Sequence, residues 1–403
     1  MTTQPAFIRP KSDRLVDCPK LMTNGPCGGV SLDGACEVDG RLCVWAEAVT
    51  FAGDSRTTFP SPPPDWSLAE PFSEPLPARL AARTSSDTLD KDQRPCRQGG
   101  RFETLLREGR FVVTAEANPP DSANADSYLE RVRPLIGLID AVHISDNSLS
   151  SPHMCGLATA ALIEQMGMET ILHMTCRDRN RIMLQADLLG AAALGVKNVL
   201  CLTGDHPSIG DHAAAQPVFD LDAVRWIDTV RHLRDEEMLL SGRALDHAPD
   251  VFIGAGAEPT AAPLEFRPQR LASKVAAGID FAVTQVVYDM EMLGDFMRRV
   301  CDLGLDKKIY ILVSVGAMAG PAMARGMNNN TPGVAVPEDV IRRLEGALPG
   351  RRREEGLRIC VEQIEQLKEM PGVSGIDIMD IAPERYGEVV EAAGLGTRSN
   401  AAR

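Results

Sequence analysis

Six short stretches of this 403-residue chain place chemistry-bearing side chains next to chain-turning residues. Glu116 stands in AEANPP, behind an apolar run and ahead of a Pro-Pro turn that must end any strand. A carboxyl group there would be partly buried, and burial raises its pKa into general-acid range; the alternative is a solvated loop or helix-capping Glu. Asp205 follows Gly204 in LCLTGDHP, where the glycine would let a ligand approach the backbone, although an Asp in a turn can also simply cap it. His173 lies in ILHMT, a setting that suits a structural histidine as well as a ligand contact. Gln285 follows a buried-looking run in AVTQVVYD, where a plain hydrogen bond to a loop would also account for it. Lys274, in LASKVAAG, reads as solvent-facing unless a phosphate lies near. Cys18, Cys27, Cys36 and Cys43 fall within 26 residues, whereas the other six of the ten cysteines are scattered. In a reducing compartment such a quartet is a metal site more often than a disulfide pair. The scattered six read as small core hydrophobes.

The elements that must carry these groups follow a regular alternation. Residues 111–116, 140–145, 169–174, 197–203, 251–256, 280–285, 308–314 and 375–380 read as strands. Helical patterns follow at 124–136, 154–167, 178–194, 220–238, 264–277, 289–303, between 318 and 369, and at 383–393. Strand–helix alternation implies a parallel sheet with helices outside, and eight units in roughly 290 residues point to a closed (β/α)8 TIM barrel. A doubly wound sheet is the alternative, but no GxGxxG follows the first strand. In a barrel the chemistry belongs at the C-terminal strand ends. Glu116, Ser145-Asp146-Asn147, His173, Thr175, Thr203 to His206, Glu258, Gln285 and Asp380 would ring that mouth. The histidines show no HExxH or HxxH spacing, so no metal is expected in the barrel.

Ahead of the barrel (residues 101–395) the expected parts are a Cys-rich module, 1–50, and a Pro-rich linker or wrap, 51–100; residues 396–403 form a tail. The module has few apolar anchors and needs a staple. The spacing x8, x8, x6 between its cysteines matches neither a common zinc ribbon nor a ferredoxin run, yet four thiolates suit tetrahedral Zn²⁺ or an iron–sulfur cluster. The net charge of −14 and a pI near 5.1 argue against nucleic acid or an anionic membrane as partner. No apolar run is long enough for a spanning helix, and the first residues lack a signal-peptide core, so a cytoplasmic setting is expected.

Taken in order, the strand-end motifs resemble the methylenetetrahydrofolate reductase family over residues 101–395. AEANPP resembles its first-strand Glu-Pro-Pro, His173-Met174-Thr175-Cys176 its third-strand motif, and Gly204-Asp205-His206-Pro207 its Gly-Asp-x-Pro. Lys274 to Gly278 followed by Thr284-Gln285 matches its Lys-x-x-Ala-Gly helix and Thr-Gln strand end. The resemblance implies Glu116 as the general acid that opens the methylenetetrahydrofolate ring, with Asp205 near flavin and pterin. It implies Gln285 as the folate-binding glutamine, and Ser145, His173, Thr203, Gly204, Asp205 and Lys274 as FAD contacts. It also implies NAD(P)H as hydride source, and a homo-oligomer acting on small-molecule folate and nicotinamide substrates. Thr203 and Ser273 stand where the family has arginines that help hold the cofactor. Val313 to Ala317 replaces its Pro-Gly-Ile-x-Pro, and Arg385 is the arginine nearest to its folate-binding position. A flavin-independent NADH-linked reductase and a non-catalytic folate-binding or scaffold subunit are the alternatives. The Cys-rich segment resembles a module of the reductase's partner subunit in anaerobic one-carbon pathways.

Overall fold

The computed structural model describes residues 17–46, 90–94, 100–331, 333–379 and 385–396. Most of the expected linker, the tail, Cys96 and Asp380 lie outside these residues.

Eight strands close into one barrel in sequence order, every neighbouring pair parallel. They are β1 (Val112–Glu116), β2 (Ala141–Ile144), β3 (Thr170–Thr175), β4 (Asn198–Leu202), β5 (Phe252–Ala257), β6 (Phe281–Thr284), β7 (Tyr310–Val315) and β8 (Val373–Ile378). All eight lie within two residues of the expected spans, because short β-branched runs buried on both faces leave little else for the chain to form. The one shift that touches the site is β8, which ends at Ile378 and not at Asp380.

The helices are α1 (Arg101–Arg107), α2 (Asp126–Val132), α3 (Gly156–Gln165), α4 (Arg181–Ala193), α5 (Ala223–Asp235), α6 (Arg267–Ala277), α7 (Met290–Asp302), α8 (Pro321–Asn330), α9 (Glu338–Gly346), α10 (Arg352–Glu369) and α11 (Tyr386–Ala392). Their starts are set by local chemistry. Asn180 accepts from Ile182 and Met183 N–H at α4, and Asp222 and Asp289 cap α5 and α7. At the other end of α6, Gly278 takes the left-handed conformation (φ +115°) that closes a helix.

Inside the barrel, the two-residue strand period separates an apolar floor from a polar mouth. The floor is built from Val112, Ala141, Ile171, Leu200, Phe252, Phe281, Tyr310 and Leu312, and α1 closes it from below. Phe102 packs edge-on against Phe281 (5.3 Å between centroids) and Phe252 (6.1 Å). A short piece of the expected linker is anchored beneath: Lys91 Nζ donates to the Asp306 carbonyl at 2.7 Å, and Arg94 reaches Asp280 at 3.3 Å. Two residues further along their strands, the same inward faces carry Thr114, His143, His173 and Ser314, with Asp377 of β8 bonded to Thr114 and Ser314.

Residues 17–46 pack on the barrel between β5 and α6. Trp45 is buried with its ring centroid 6.1 Å from that of Phe266, beside Ala262, Val30 and Cys43. Arg267 donates to the Cys27 carbonyl at 3.0 Å, Arg270 to the Asn24 carbonyl, and Asn24 to Asp222 at 3.0 Å. Gly28 lies so close to Glu258 that a Cβ would sit 2.9 Å from its Cγ. The separate N-terminal unit expected from sequence is thus fastened to the barrel along one edge.

Candidate active site

The C-terminal mouth encloses a cavity of about 890 Å³, and Glu116, Ser145, His173, Thr203, Gly204, Asp205, Lys274 and Gln285 all line it. These eight barrel residues, all singled out in the sequence, therefore face one chamber, of a size suited to a cofactor and a substrate fragment.

Each side chain is held by its strand end. Glu116, half-buried, ends β1, and its carbonyl accepts from the Tyr386 hydroxyl of α11. Ser145 donates to Asn118 Oδ1 at 2.5 Å, and Thr203 Oγ1 accepts from Ala223 N–H at 3.1 Å at the start of α5. Gly204 needs its glycine: φ is +91°, and a Cβ would lie 3.0 Å from the Cβ atoms of both Thr175 and Arg177. Gln285 N–H donates to the Ala257 carbonyl at 2.7 Å.

Lys274 corrects the expectation of a solvent-facing helix residue. It is buried, its ammonium donating to the Gly256 carbonyl at 2.6 Å and standing 3.5 Å from Glu258 Oε1. Burial pulls its pKa down, partly offset by Glu258. Burial pushes the Glu258 carboxyl up, but Lys274, Arg267 and Arg270 outweigh it and hold the group below the usual carboxylate range. Ser273, on the preceding position, donates to the Gln269 carbonyl of its own helix at 3.1 Å. Arg385 pairs with Glu388 at 2.8 Å and does not line the chamber.

Beneath the mouth His173 joins a polar cluster whose other members are not singled out in the sequence. His143 Nδ1 is 3.0 Å from His173 Nε2, and His143 Nε2 is 3.5 Å from Asp377 Oδ1. Asp377 accepts from Thr114 Oγ1 at 2.9 Å and Ser314 Oγ at 3.2 Å. Burial drives both imidazoles down to about 3 and raises Asp377 to about 6. In GIDI the two-residue strand period is the sequence signal that turns Asp377 inward, three residues short of the expected strand end at Asp380. Nor did spacing point to Arg177, which lines the chamber and donates to Ser150 Oγ at 3.0 Å and to the Asn147 carbonyl at 3.1 Å.

The cysteine quartet is only partly assembled. Cys18, Cys27, Cys36 and Cys43 are close enough for their charges to interact. Yet among the described residues no three His, Cys, Asp or Glu side chains converge as a metal site. Burial raises the Cys18 and Cys43 thiols and pushes Cys27 up to about 12. Of the scattered cysteines, Cys176, Cys201 and Cys360 are buried as expected; Cys155 is exposed and Cys301 half-exposed.

A closed parallel barrel with acid, amide, imidazole and ammonium groups gathered at its C-terminal mouth is the layout of the (β/α)8 barrel enzymes. Residues 101–393 match the family model for methylenetetrahydrofolate reductase, and the chain belongs to that family. Residues 13–58 match a second family model, described as methylene-tetrahydrofolate reductase C terminal. Among curated relatives, a probable methylenetetrahydrofolate reductase (NADPH) of Caenorhabditis elegans is 26% identical over 222 residues, covering 52% of this chain and 31% of the relative. The 5,10-methylenetetrahydrofolate reductase of Pectobacterium carotovorum is 24% identical, covering 50% of this chain and 63% of the relative. The chain spans about a third of the length of the first curated relatives it matches. A solved protein from Clostridium thermocellum that binds two copies of 5-methyl-5,6,7,8-tetrahydrofolic acid shares the fold, with a TM-score of 0.50 at 14% identity over 73% of this chain and 98% of that one. No described helix is long and apolar enough to cross a membrane.

Proposed function

We propose that the chain is a methylenetetrahydrofolate reductase, moving a hydride between NAD(P)H and the one-carbon unit of 5,10-methylenetetrahydrofolate or 5-methyltetrahydrofolate. The observation that carries this reading is the convergence of Glu116, Asp205 and Gln285, from three separate strand ends, on one chamber of the family's barrel. In the reductive direction Glu116 donates a proton to the bridging nitrogen of the folate, which opens the five-membered ring to an iminium. Asp205 stabilises the positive charge that develops there, while Gln285 orients the pterin by hydrogen bonding.

The donor set suits a flavin. Ser145 and Thr203 offer hydroxyls, His173 an imidazole and Lys274 an ammonium for an anionic group. Gly204, whose φ of +91° and close contact with Thr175 and Arg177 exclude a Cβ, fixes the turn that presents Thr203 and Asp205. FAD bound by these groups would relay the hydride between nicotinamide and folate. A second reading, direct transfer from NADH without flavin, is favoured by two observations: Lys274 is already engaged by Gly256 and Glu258, and Thr203 and Ser273 stand where the family has arginines. The absorption spectrum of the purified protein, followed by denaturation and analysis of the released small molecules, tests the flavin. Released FAD supports the first reading; NADH-linked turnover with no flavin supports the second. Absence of any NAD(P)H- or dye-linked turnover of either folate would contradict both.

The proposal also includes a cytoplasmic homo-oligomer, which light scattering of the purified chain checks in its oligomeric part. For the N-terminal module it includes one structural metal, Zn²⁺ in preference to an iron–sulfur cluster. Four soft thiol donors suit either, and no second cysteine cluster lies near in the sequence to continue an electron path.

A further inference from the structure

The chamber is not walled by the barrel alone. Lys20, Pro26, Cys27, Gly28, Gly29 and Glu37, all from the N-terminal segment, line it together with Asp205, Glu258, Arg270 and Lys274. Lys20 and Glu37 form an ion pair whose side chains are 3% and 4% exposed, and Asp205 lies within electrostatic reach of the ammonium. A lysine buried this deeply must have a counter-charge when no ligand is present, because an unpaired ion costs several kcal/mol. Glu37 supplies it. Nearby, the guanidinium of Arg270 is held by the Asn24 carbonyl, but its Nε is buried without a hydrogen-bond partner. Lys20, Arg270 and Lys274 thus bring three buried cations to the chamber wall, and Lys20 and Lys274 are engaged by carboxylates of the protein itself, Glu37 and Glu258.

We propose that Lys20 is a ligand-binding residue of this chamber: it takes an anionic, oxygen-rich group of the bound molecule, and Glu37 is the counter-ion that this group displaces. On this view the N-terminal segment is part of the site and neither a tether nor a separate redox unit. The anionic group has two possible sources under the functional reading on which this inference rests: the phosphates of the nicotinamide cofactor or the carboxylates of the folate tail.

Two substitutions in the full chain separate ligand binding from a merely structural ion pair, because their effects should run in opposite directions. Lys20→Met removes the cation and should weaken binding of one probe, NADPH or 5-methyltetrahydrofolate, by roughly 30-fold or more in titration calorimetry. Glu37→Gln removes the competitor and should tighten binding of that same probe. Lys20→Arg should restore much of the affinity, and Arg41→Ala, whose side chain is 66% exposed, should change nothing. The probe that responds identifies the source of the anion. Unchanged affinities in Lys20→Met, or parallel losses in Lys20→Met and Glu37→Gln, would overturn the inference while wild-type binding upheld the functional reading. Wild type that binds neither probe would overturn both. Should Lys20→Met fail to fold, the sign of the Glu37→Gln effect decides alone.

Discussion

His143 and His173 face each other from adjoining strands, Nδ1 of the first 3.0 Å from Nε2 of the second, with the rings near edge-on at 73°. One nitrogen must donate and the other accept, so the contact requires at least one neutral ring. Burial, with a further push on His173 from His143, brings both pKa values to about 3. In the unfolded chain the same groups take up protons below about pH 6.5. The unfolded state therefore binds more protons between 6.5 and 3, and stability falls as pH drops through that window. Imidazole nitrogen NMR should find both rings neutral at pH 5.5; a titration near 6.5 would contradict the packing described here.

Asp377 should oppose that trend. Its folded pKa, raised to about 6 by burial against the bonds from Thr114 and Ser314, lies above the unfolded value. The group then costs stability once pH rises above about 4, with the full cost reached above 6. Asp377→Asn should accordingly stabilise the protein at pH 8, by roughly 1–3 kcal/mol, and lose that advantage at pH 4. Denaturant midpoints at the two pH values test this, and a substitution that destabilises equally at both would contradict it.

The buried thiols give the metal proposal its own pH signature. Thiolates are the ligands, so Zn²⁺ must displace protons from Cys18, Cys27 and Cys43, and affinity should fall as pH is lowered. Elemental analysis should find one metal per wild-type chain and none in the Cys27→Ser/Cys36→Ser double variant. Equal content in both, or none in either, would remove the site; iron with acid-labile sulfide would keep the ligands and replace zinc.

What the sequence made legible follows physical lines. Strand positions and mouth residues are readable because short continuous apolar runs and Pro or Gly stops are local properties. Lys274 was misplaced because its partner, Glu258, comes from the preceding strand end, and helix spacing says nothing of that. Lys20 and Glu37 were invisible for the same reason: only the docking of Trp45 on Phe266 and of Arg267 and Arg270 on the segment's backbone brings them to the mouth. Asp377 was masked by a two-residue error in where the last strand ends.

The central claim, folate reduction with Glu116 as proton donor, is tested most directly by following the two half-reactions separately in stopped flow. In wild type and in Glu116→Gln, oxidation of NAD(P)H by the loaded enzyme should proceed at similar rates, since that step needs no ring opening. Folate reduction should be slower in the variant by about 10²–10⁴-fold, the usual contribution of a general acid. Equal folate rates in the two proteins would contradict the assignment of Glu116, and a wild-type enzyme that leaves methylenetetrahydrofolate untouched would contradict the account as a whole.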